Sequence, residues 1–431
     1  MINFQKKVLD NGLRVILAPM SNVDASTLMV LVNVGSRYER KQINGISHFL
    51  EHLVFKGTKS RPEPGQIHKD LDRIGAAHNA FTSKETTGFW VKSASRDFDV
   101  GLDIIFDILL EPVFKNEEIE KERGVILQEI SMYEDEPRRK VLDVLEGALY
   151  GDQPVGWDIA GSKESVSSIN KEDITKYHDA NYLSENMIVV AAGNLEPSAT
   201  YKKIEKFFGK VKNGKNQDSL KTEIFQKSPN VEIIKKDSDQ THLAMGIRAY
   251  DMFNEKRYAL NLLSVILGGN FSSRLVMEIR EKLGLAYYVY SFGDQYTDCG
   301  YLGIGAGIAH NELSGVVKKI IEVIKDIKKN GVTAQELQDA KSFIRGQMAM
   351  RLETSDEVAS FCSDQEIFYK KIIQPEEIIQ KIENVSQDDI LKVAAEVFVP
   401  ETINLAVIGK QEKPKEQELF FKDLFQKSFA N

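Results

Sequence analysis

Two histidines and a glutamate stand close together in the pentapeptide His48-Phe49-Leu50-Glu51-His52. On a helix of 3.6 residues per turn, positions i, i+3 and i+4 share a face, so His48, Glu51 and His52 project together. Two imidazoles one turn apart suit a small tetrahedral cation. A carboxylate beside them that does not bind the metal can take a proton from a water activated there. On the pentapeptide alone, a plainer reading stays open: a helix whose histidines are satisfied by neighbours.

A cation held this way needs a third ligand. Downstream runs Asn116-Glu117-Glu118-Ile119-Glu120-Lys121-Glu122-Arg123-Gly124-Val125-Ile126-Leu127-Gln128-Glu129-Ile130. Its apolar positions 119, 126, 127 and 130 form a helical stripe, and its acidic opening favours a helix N-terminus. Glu122 and Glu129, seven apart, stack on one face. Glu117, Glu118 and Glu120 read as solvated. Glu129 lies between Leu127 and Ile130, where an unpaired charge is costly to bury, so it wants a cation.

The order His-x-x-Glu-His is that of the inverted zinc-peptidase motif. Followed after 76 residues (53 to 128) by Glu129, it resembles the signature of the pitrilysin family of zinc metallopeptidases. The likeness is greatest to the branch of the mitochondrial processing peptidase and its short bacterial homologues. The surrounding wording matches as well: His48-Phe-Leu-Glu-His-Leu-Val-Phe-Lys-Gly-Thr58, Asn79-Ala80-Phe81-Thr82 with Thr86-Thr87, and Glu122-Arg123-Gly-Val-Ile. The resemblance implies one Zn²⁺ per chain on His48, His52 and Glu129, with Glu51 as general base and Glu122 supporting the ligands. It also implies that Asn79, Ala80, Phe81 and Thr82 form an edge strand to which substrate adds as an extra strand.

Composition narrows the rest. The chain has 431 residues, 42% hydrophobic and 28% charged, an ordinary globular balance for two large domains. A net charge of −8 gives no electrostatic case for nucleic acid. No run approaches the roughly 18 apolar residues of a membrane span, and no signal-like segment precedes the strand–turn–strand pattern around Asp10-Asn11-Gly12. A cytoplasmic protein without membrane contact is expected. Cys299 and Cys362 have no metal spacing and read as free thiols of a reducing compartment.

The chain also reads as a tandem repeat. Lys171 to Asn194 lies without gaps on Gln387 to Lys410 at an offset of 216, with Asp173, Ile174, Lys176, Glu185 and Gly193 matched by identical residues. Strands are expected at 27–34, 89–93, 187–192, 241–247, 300–306 and 403–408, without regular alternation with helices. The fold class is therefore α+β: two homologous domains, each an antiparallel-rich sheet flanked by helices. The family resemblance implies that they face each other like a clam shell. The expected boundaries are 1–211 for a metal-binding catalytic domain, 212–230 for a polar linker and 231–431 for a metal-free copy. In that copy the counterpart of the metal helix, around Tyr258 to Gly269, has no ligand-type residue, and Arg345, Gly346 or Gln347 stands at the third-ligand position.

The second half still holds Arg280-Glu-Lys-Leu-Gly-Leu-Ala-Tyr287, after Gly268-Gly269-Asn270-Phe271-Ser272-Ser273-Arg274. Read from the residues, this is a charged helix ending at Gly284, then an aromatic strand, with the double glycine as a helix stop. Read from the resemblance, Arg280 and Tyr287 are a pair that reaches the substrate backbone near the scissile bond. The remaining histidines (His68, His78, His178, His242, His310) have no ligand spacing and read as structural or surface groups. The tail Leu419-Phe420-Phe421-x-x-Leu424-Phe425 reads as a helix docked on its own domain, a partner-binding helix being the alternative.

The function expected is zinc-dependent endopeptidase action on extended peptides, by a self-sufficient chain expected as a homodimer. The alternative is a non-catalytic, structural core-type subunit of a larger complex, since such subunits also carry this fold. One departure bears on specificity. Processing-peptidase relatives place acidic residues soon after the third ligand to read a substrate arginine, whereas this chain has Pro137-Arg138-Arg139-Lys140, with only Asp143 nearby. Acidic or neutral substrates suit it as well.

Overall fold

A computed structural model describes residues 1–216 and 218–429. Eleven strands form two sheets. The first contains β1 (Gln5–Val8), β2 (Arg14–Pro19), β3 (Ala25–Val32), β4 (Ala77–Thr82), β5 (Thr87–Ala94) and β6 (Met187–Gly193), in the spatial order β1-β2-β6-β3-β5-β4. The second contains β7 (Asn230–Lys235), β8 (Thr241–Ala249), β9 (Ala286–Gln295), β10 (Gly300–Ile308) and β11 (Ile403–Gly409), in the order β7-β11-β8-β10-β9. With β1 set aside, both sheets have one topology: the first strand of each repeat pairs parallel with the last, and every other pairing is antiparallel. This is the α+β class expected, twice over.

The repeat is kept to the residue. Arg14 and Asn230, Met187 and Ile403, and the helices opening at Lys171 and Gln387 each stand 216 positions apart. The Asp shared by these two helices has a physical reason. Asn170 and Ser386 cap them, and Asp173 and Asp389 reach back to the capping residue's N–H, closing a capping box in each copy. Such a cap stabilises a helix by about 1 kcal/mol.

Strand composition follows burial. β3, β6, β8 and β11 are almost wholly buried and read as near-continuous apolar runs, because both faces of the sheet are covered. β4, at the end of its sheet, alternates between exposed and half-buried positions along Ala77–Thr82. In the second sheet the corresponding edge strand, β9, lays the rings of Tyr288, Tyr290 and Phe292 over Gly307, Gly305 and Gly303 of β10. A Cβ on any of these glycines would come within 2.4–2.7 Å of the ring above it.

The helices that cover the second faces do not respect a single cut in the chain. One compact unit comprises Met1–Ile130, Asp158–Leu220 and Gln347–Glu376; the other comprises Ser131–Trp157, Lys221–Gly346 and Glu377–Asn431. The contiguous domains 1–211 and 231–431 are thus corrected in two places. Helix Ser355–Tyr369, from the second half, packs Val358, Ala359 and Cys362 on Ile16, Met29, Leu31 and Val190 in the first unit. Helix Pro137–Tyr150, from the first half, packs Val141, Leu145 and Leu149 on Ala244, Ala406 and Ile408 in the second. A strand apolar on both faces requires two covers but does not say which helix supplies them. The tail helix Pro414–Phe429 buries Phe421, Phe425 and Phe429 in its own unit's core. Among the described residues no helix is long and apolar enough to cross a membrane.

The exchanged helix Ser355–Tyr369 is anchored by charge as well as packing. Glu366 is fully buried and accepts from Arg14 Nη1 (3.3 Å), with Lys6 Nζ at 2.8 Å. Replacing one member of a buried pair strands the other. Glu366→Leu is therefore expected to lower the free energy of unfolding by about 3–5 kcal/mol in urea titration. A loss under about 1 kcal/mol would mean that the pair does not anchor the helix.

Candidate metal centre

The helix Ile46–Leu53 puts Ile46, Phe49, Leu50 and Leu53 into the first unit's core and leaves His48, Glu51 and His52 on the opposite side. It starts at Gly45, whose φ of +97° favours glycine and where a Cβ would come within 2.5 Å of the Ala160 carbonyl oxygen. Helix Asn116–Asp135 buries Ile119, Ile126 and Ile130 and so turns Glu122 and Glu129 toward the histidines.

His48 Nε2 and His52 Nε2 each lie 3.6 Å from Glu129 Oε2. The three ligand atoms are all within 4.8 Å of one another, and this is the one such group of three among the described residues. The edge of a tetrahedron around zinc is about 3.3 Å for bonds near 2.0–2.1 Å. Two imidazole nitrogens and a carboxylate oxygen are also the donor types zinc takes, so the residues fit the ion.

Glu122 Oε2 is 3.2 Å from His52 Nδ1, and its other oxygen is 2.7 Å from Lys56 Nζ. A carboxylate can only accept, so His52 carries its proton on Nδ1 and presents the Nε2 lone pair toward Glu129. Burial works against the Glu122 charge, but the His52 and Lys56 hydrogen bonds outweigh it and hold the carboxyl below its usual range. Burial likewise opposes a charged His52, and here the Glu122 hydrogen bond with the Glu129 and Glu51 charges raises the imidazole above its ordinary value.

Glu51 is set apart from the ligands. Thr82 Oγ1, at the end of β4, donates to Glu51 Oε2 at 2.6 Å. Burial raises the Glu51 carboxyl, with the Thr82 hydrogen bond and His52 opposing and Glu129 adding to the rise. Ala80 and Thr82 face the metal helix, while Asn79 and Phe81 point the other way, Phe81 lying over Gly88. Thr82 is thus more than a strand residue, since it holds the carboxylate next to the ligands. The signal for this was its place in the Asn79–Thr82 run, but only the pairing of β4 with β5 shows which alternate residue faces inward.

Arg280 and Tyr287 lie in the second unit. Arg280 is on a wide-turned helical segment, Val276–Lys282, with its guanidinium 5.7 Å above the Phe271 ring. The segment stops at Gly284, and an aromatic strand follows, as the residues alone suggested. In β9, Ala286 pairs with Ile308 and Tyr288 with Gly307, which leaves Tyr287 as the extra residue of a β-bulge, 70% exposed. A bulge re-aims a side chain out of the regular alternation. Arg138 and Arg139 stack on Tyr288 and Tyr133, at 4.4 and 3.2 Å from the ring centroids. The five other histidines each hydrogen-bond a neighbour: His68 with His78, His178 with Leu109, His242 with Tyr288, and His310 with Thr241.

The family pattern described as insulinase (peptidase family M16) matches residues 14–163, and that of the peptidase M16 inactive domain matches residues 168–343. The chain is 34% identical over 399 residues to an uncharacterized zinc protease of Bacillus subtilis, YmxG, covering 93% of this chain and 96% of that one. It is 36% identical over 409 residues to an uncharacterized zinc protease of Rickettsia felis, covering 94% and 98%. The chain belongs to peptidase family M16. A protease from Helicobacter pylori shares its fold over 95% of this chain and all of that one, with a TM-score of 0.89 and 25% identity. A peptidase M16 inactive domain from Pseudomonas fluorescens shares the fold at 19% identity, with a TM-score of 0.87 over 95% of this chain and 99% of that one. The resemblance to the pitrilysin-type zinc peptidases read from the motifs is borne out at the level of the family.

Glu122 gives a direct test of the centre. Glu122→Ala removes the acceptor that fixes His52 and is expected to weaken zinc binding about 10–100-fold, as loss of such partners does, in competition with a chromophoric chelator. Unchanged affinity in the folded variant would show that His52 needs no such partner.

Proposed function

We propose that the protein is a zinc-dependent endopeptidase that hydrolyses peptides bound in extended conformation. One observation carries the reading: His48 Nε2, His52 Nε2 and Glu129 Oε2 converge, while Glu51 on the same helix is held beside them by Thr82. The family membership and the zinc-protease relatives support it.

His48, His52 and Glu129 would hold Zn²⁺, which would supply Lewis acidity toward a carbonyl and lower the pKa of a water toward about 7. Glu51 takes the proton of the attacking water and later delivers it to the leaving amine nitrogen. Glu122 holds His52 in the tautomer that ligates. The open side of β4 takes the substrate as an added strand, its backbone groups pairing with those of Asn79–Thr82. Backbone pairing sets the register while tolerating varied side chains. Arg280 and Tyr287 donate to the substrate's carbonyl oxygen as it gains charge.

Glu51→Gln is the decisive variant. It should retain zinc, since Glu51 is not a ligand, and lose about 10²–10⁴ in turnover, the usual cost of a missing general base. More than about half of wild-type activity with zinc bound would remove Glu51 from the role. A wild-type chain that takes up no zinc on reconstitution would favour the non-catalytic subunit.

The pH profile tests the Thr82 bond. Glu51 acts as a base only when deprotonated, burial pushes its carboxyl up, and the Thr82 hydroxyl counters that rise. Thr82→Val should therefore move the acid limb of kcat/KM to higher pH. A limb that stays in place or moves to lower pH contradicts the assignment.

A further inference from the structure

We propose that the five residues Gly35–Glu39 are a clamp that sets the metal helix and the substrate strand together, with Glu39 and Arg37 as positioning residues. The proposal rests on the function proposed above for the His48–Glu51–His52 helix and for β4.

Helix Ile46–Leu53 has eight residues, about two turns, and a helix this short is held by its anchors rather than by its own propensity. Its capping position is Gly45, which has no side chain to cap with. Glu39 does this work from six residues upstream. Its Oε2 accepts from the Gly45 N–H (2.7 Å) and from Asn44 Nδ2 (2.8 Å), and its Oε1 accepts from the Ser47 N–H (2.8 Å). The carboxylate is 3% exposed and sits where the helix dipole favours negative charge. Next to Ser47 stands His48. The tilt and rotation of the helix, and so the direction of both imidazoles, are fixed at this end by Glu39.

The same segment grips the hairpin between β4 and β5. The Ser36 N–H donates to the Ser83 carbonyl (3.1 Å) and the Arg37 N–H to that of Lys84 (2.8 Å). Arg37 Nη1 donates to Glu85 Oε1 at 2.7 Å, with both side chains almost wholly buried. At Gly35 a Cβ would come within 2.3 Å of the Ser83 carbonyl oxygen, so the two backbones meet there. Thr82, which holds Glu51, is the residue just before this turn. Two residues apart in sequence, Arg37 and Glu39 therefore fix the edge strand and the metal helix to one short stretch of chain.

Neither residue touches the ligand atoms. A role in packing alone would be served by apolar side chains, since desolvating a carboxylate or an ion pair carries a penalty that the pairing only offsets. What the buried charges add is direction: three donors converge on Glu39, and one ion pair fixes Arg37 to Glu85. A strand or helix misplaced by about 1 Å can cost about 10²-fold in rate.

The clamp has two arms with different kinetic signatures, which full-length protein, a chelator-competition zinc assay and a quenched-fluorescence peptide can separate. Glu39→Gln keeps the size but replaces an acceptor with a donor. It should weaken zinc binding by about tenfold or more and lower kcat with KM little changed, and Glu39→Asp should recover part of both. The double variant Arg37→Met with Glu85→Gln removes both charges without stranding either. It should raise KM about tenfold with zinc affinity intact, and Arg37→Lys alone should give a smaller rise. If Glu39→Gln does not fold, Asn44→Ala removes one of the three donors and should weaken zinc binding several-fold. If the double variant does not fold, the Arg37→Lys rise in KM decides its arm. Folded variants with wild-type zinc affinity and kinetics overturn the clamp, as does the same uniform loss in both arms. A wild-type chain that neither binds zinc nor cleaves overturns the functional reading itself.

Discussion

Two imidazole nitrogens, each held 3.6 Å from one carboxylate oxygen, are the constraint around which the first unit is organised. Like lone pairs do not gather without a cation or a proton among them, and the neighbours are arranged to keep them gathered. Glu122 and Lys56 fix His52 from behind, Thr82 holds Glu51 to the side, and Glu39 anchors the start of the helix. Each of these groups is buried or half-buried, where electrostatic terms are stronger than in water and an unpaired partner is costly. Several groups therefore stand or fall together.

The tandem repeat shows how one scaffold can carry this centre once. Both sheets follow the same strand order, and the capped helices at Lys171 and Gln387 keep even their capping boxes. What differs is the content of the helices. In the second unit the counterpart of the metal helix, Arg257–Ser264, turns Tyr258, Leu260, Leu262 and Leu263 into the core and has no ligand-type residue. Its distinctive features lie at the edge instead: the aromatic rings of β9 over three glycines, and the bulge that turns Tyr287 out. The topology is shared because backbone pairing and burial dictate it. The chemistry differs because it rests on a few outward positions that packing does not constrain.

The reciprocal covering of the sheets is a second consequence of burial. Strands buried on both faces would leave one face wet in a contiguous domain, and each unit takes the missing helix from the other half of the chain. With Glu366 beneath Arg14, the helix Ser355–Tyr369 is fixed in rotation as well as in place. Half of this chain is thus not the same thing as one compact unit.

The sequence by itself determined the local and periodic features. Spacing placed His48, Glu51 and His52 on one helix face, and the acidic helix put Glu122 and Glu129 seven residues apart. The matched segments gave the repeat, the six apolar strands and the α+β class. These follow from helix and strand geometry, which acts between residues close in the chain. The tertiary structure alone decided the long-range choices. It set which helix covers which sheet, which alternate residue of β4 faces Glu51, which partner fixes each imidazole nitrogen, and that Glu39 caps a helix whose own capping residue is glycine. Such choices depend on register and packing between segments tens to hundreds of residues apart, and a one-residue shift in register would reverse each of them in a strand. No pattern within a single segment records them.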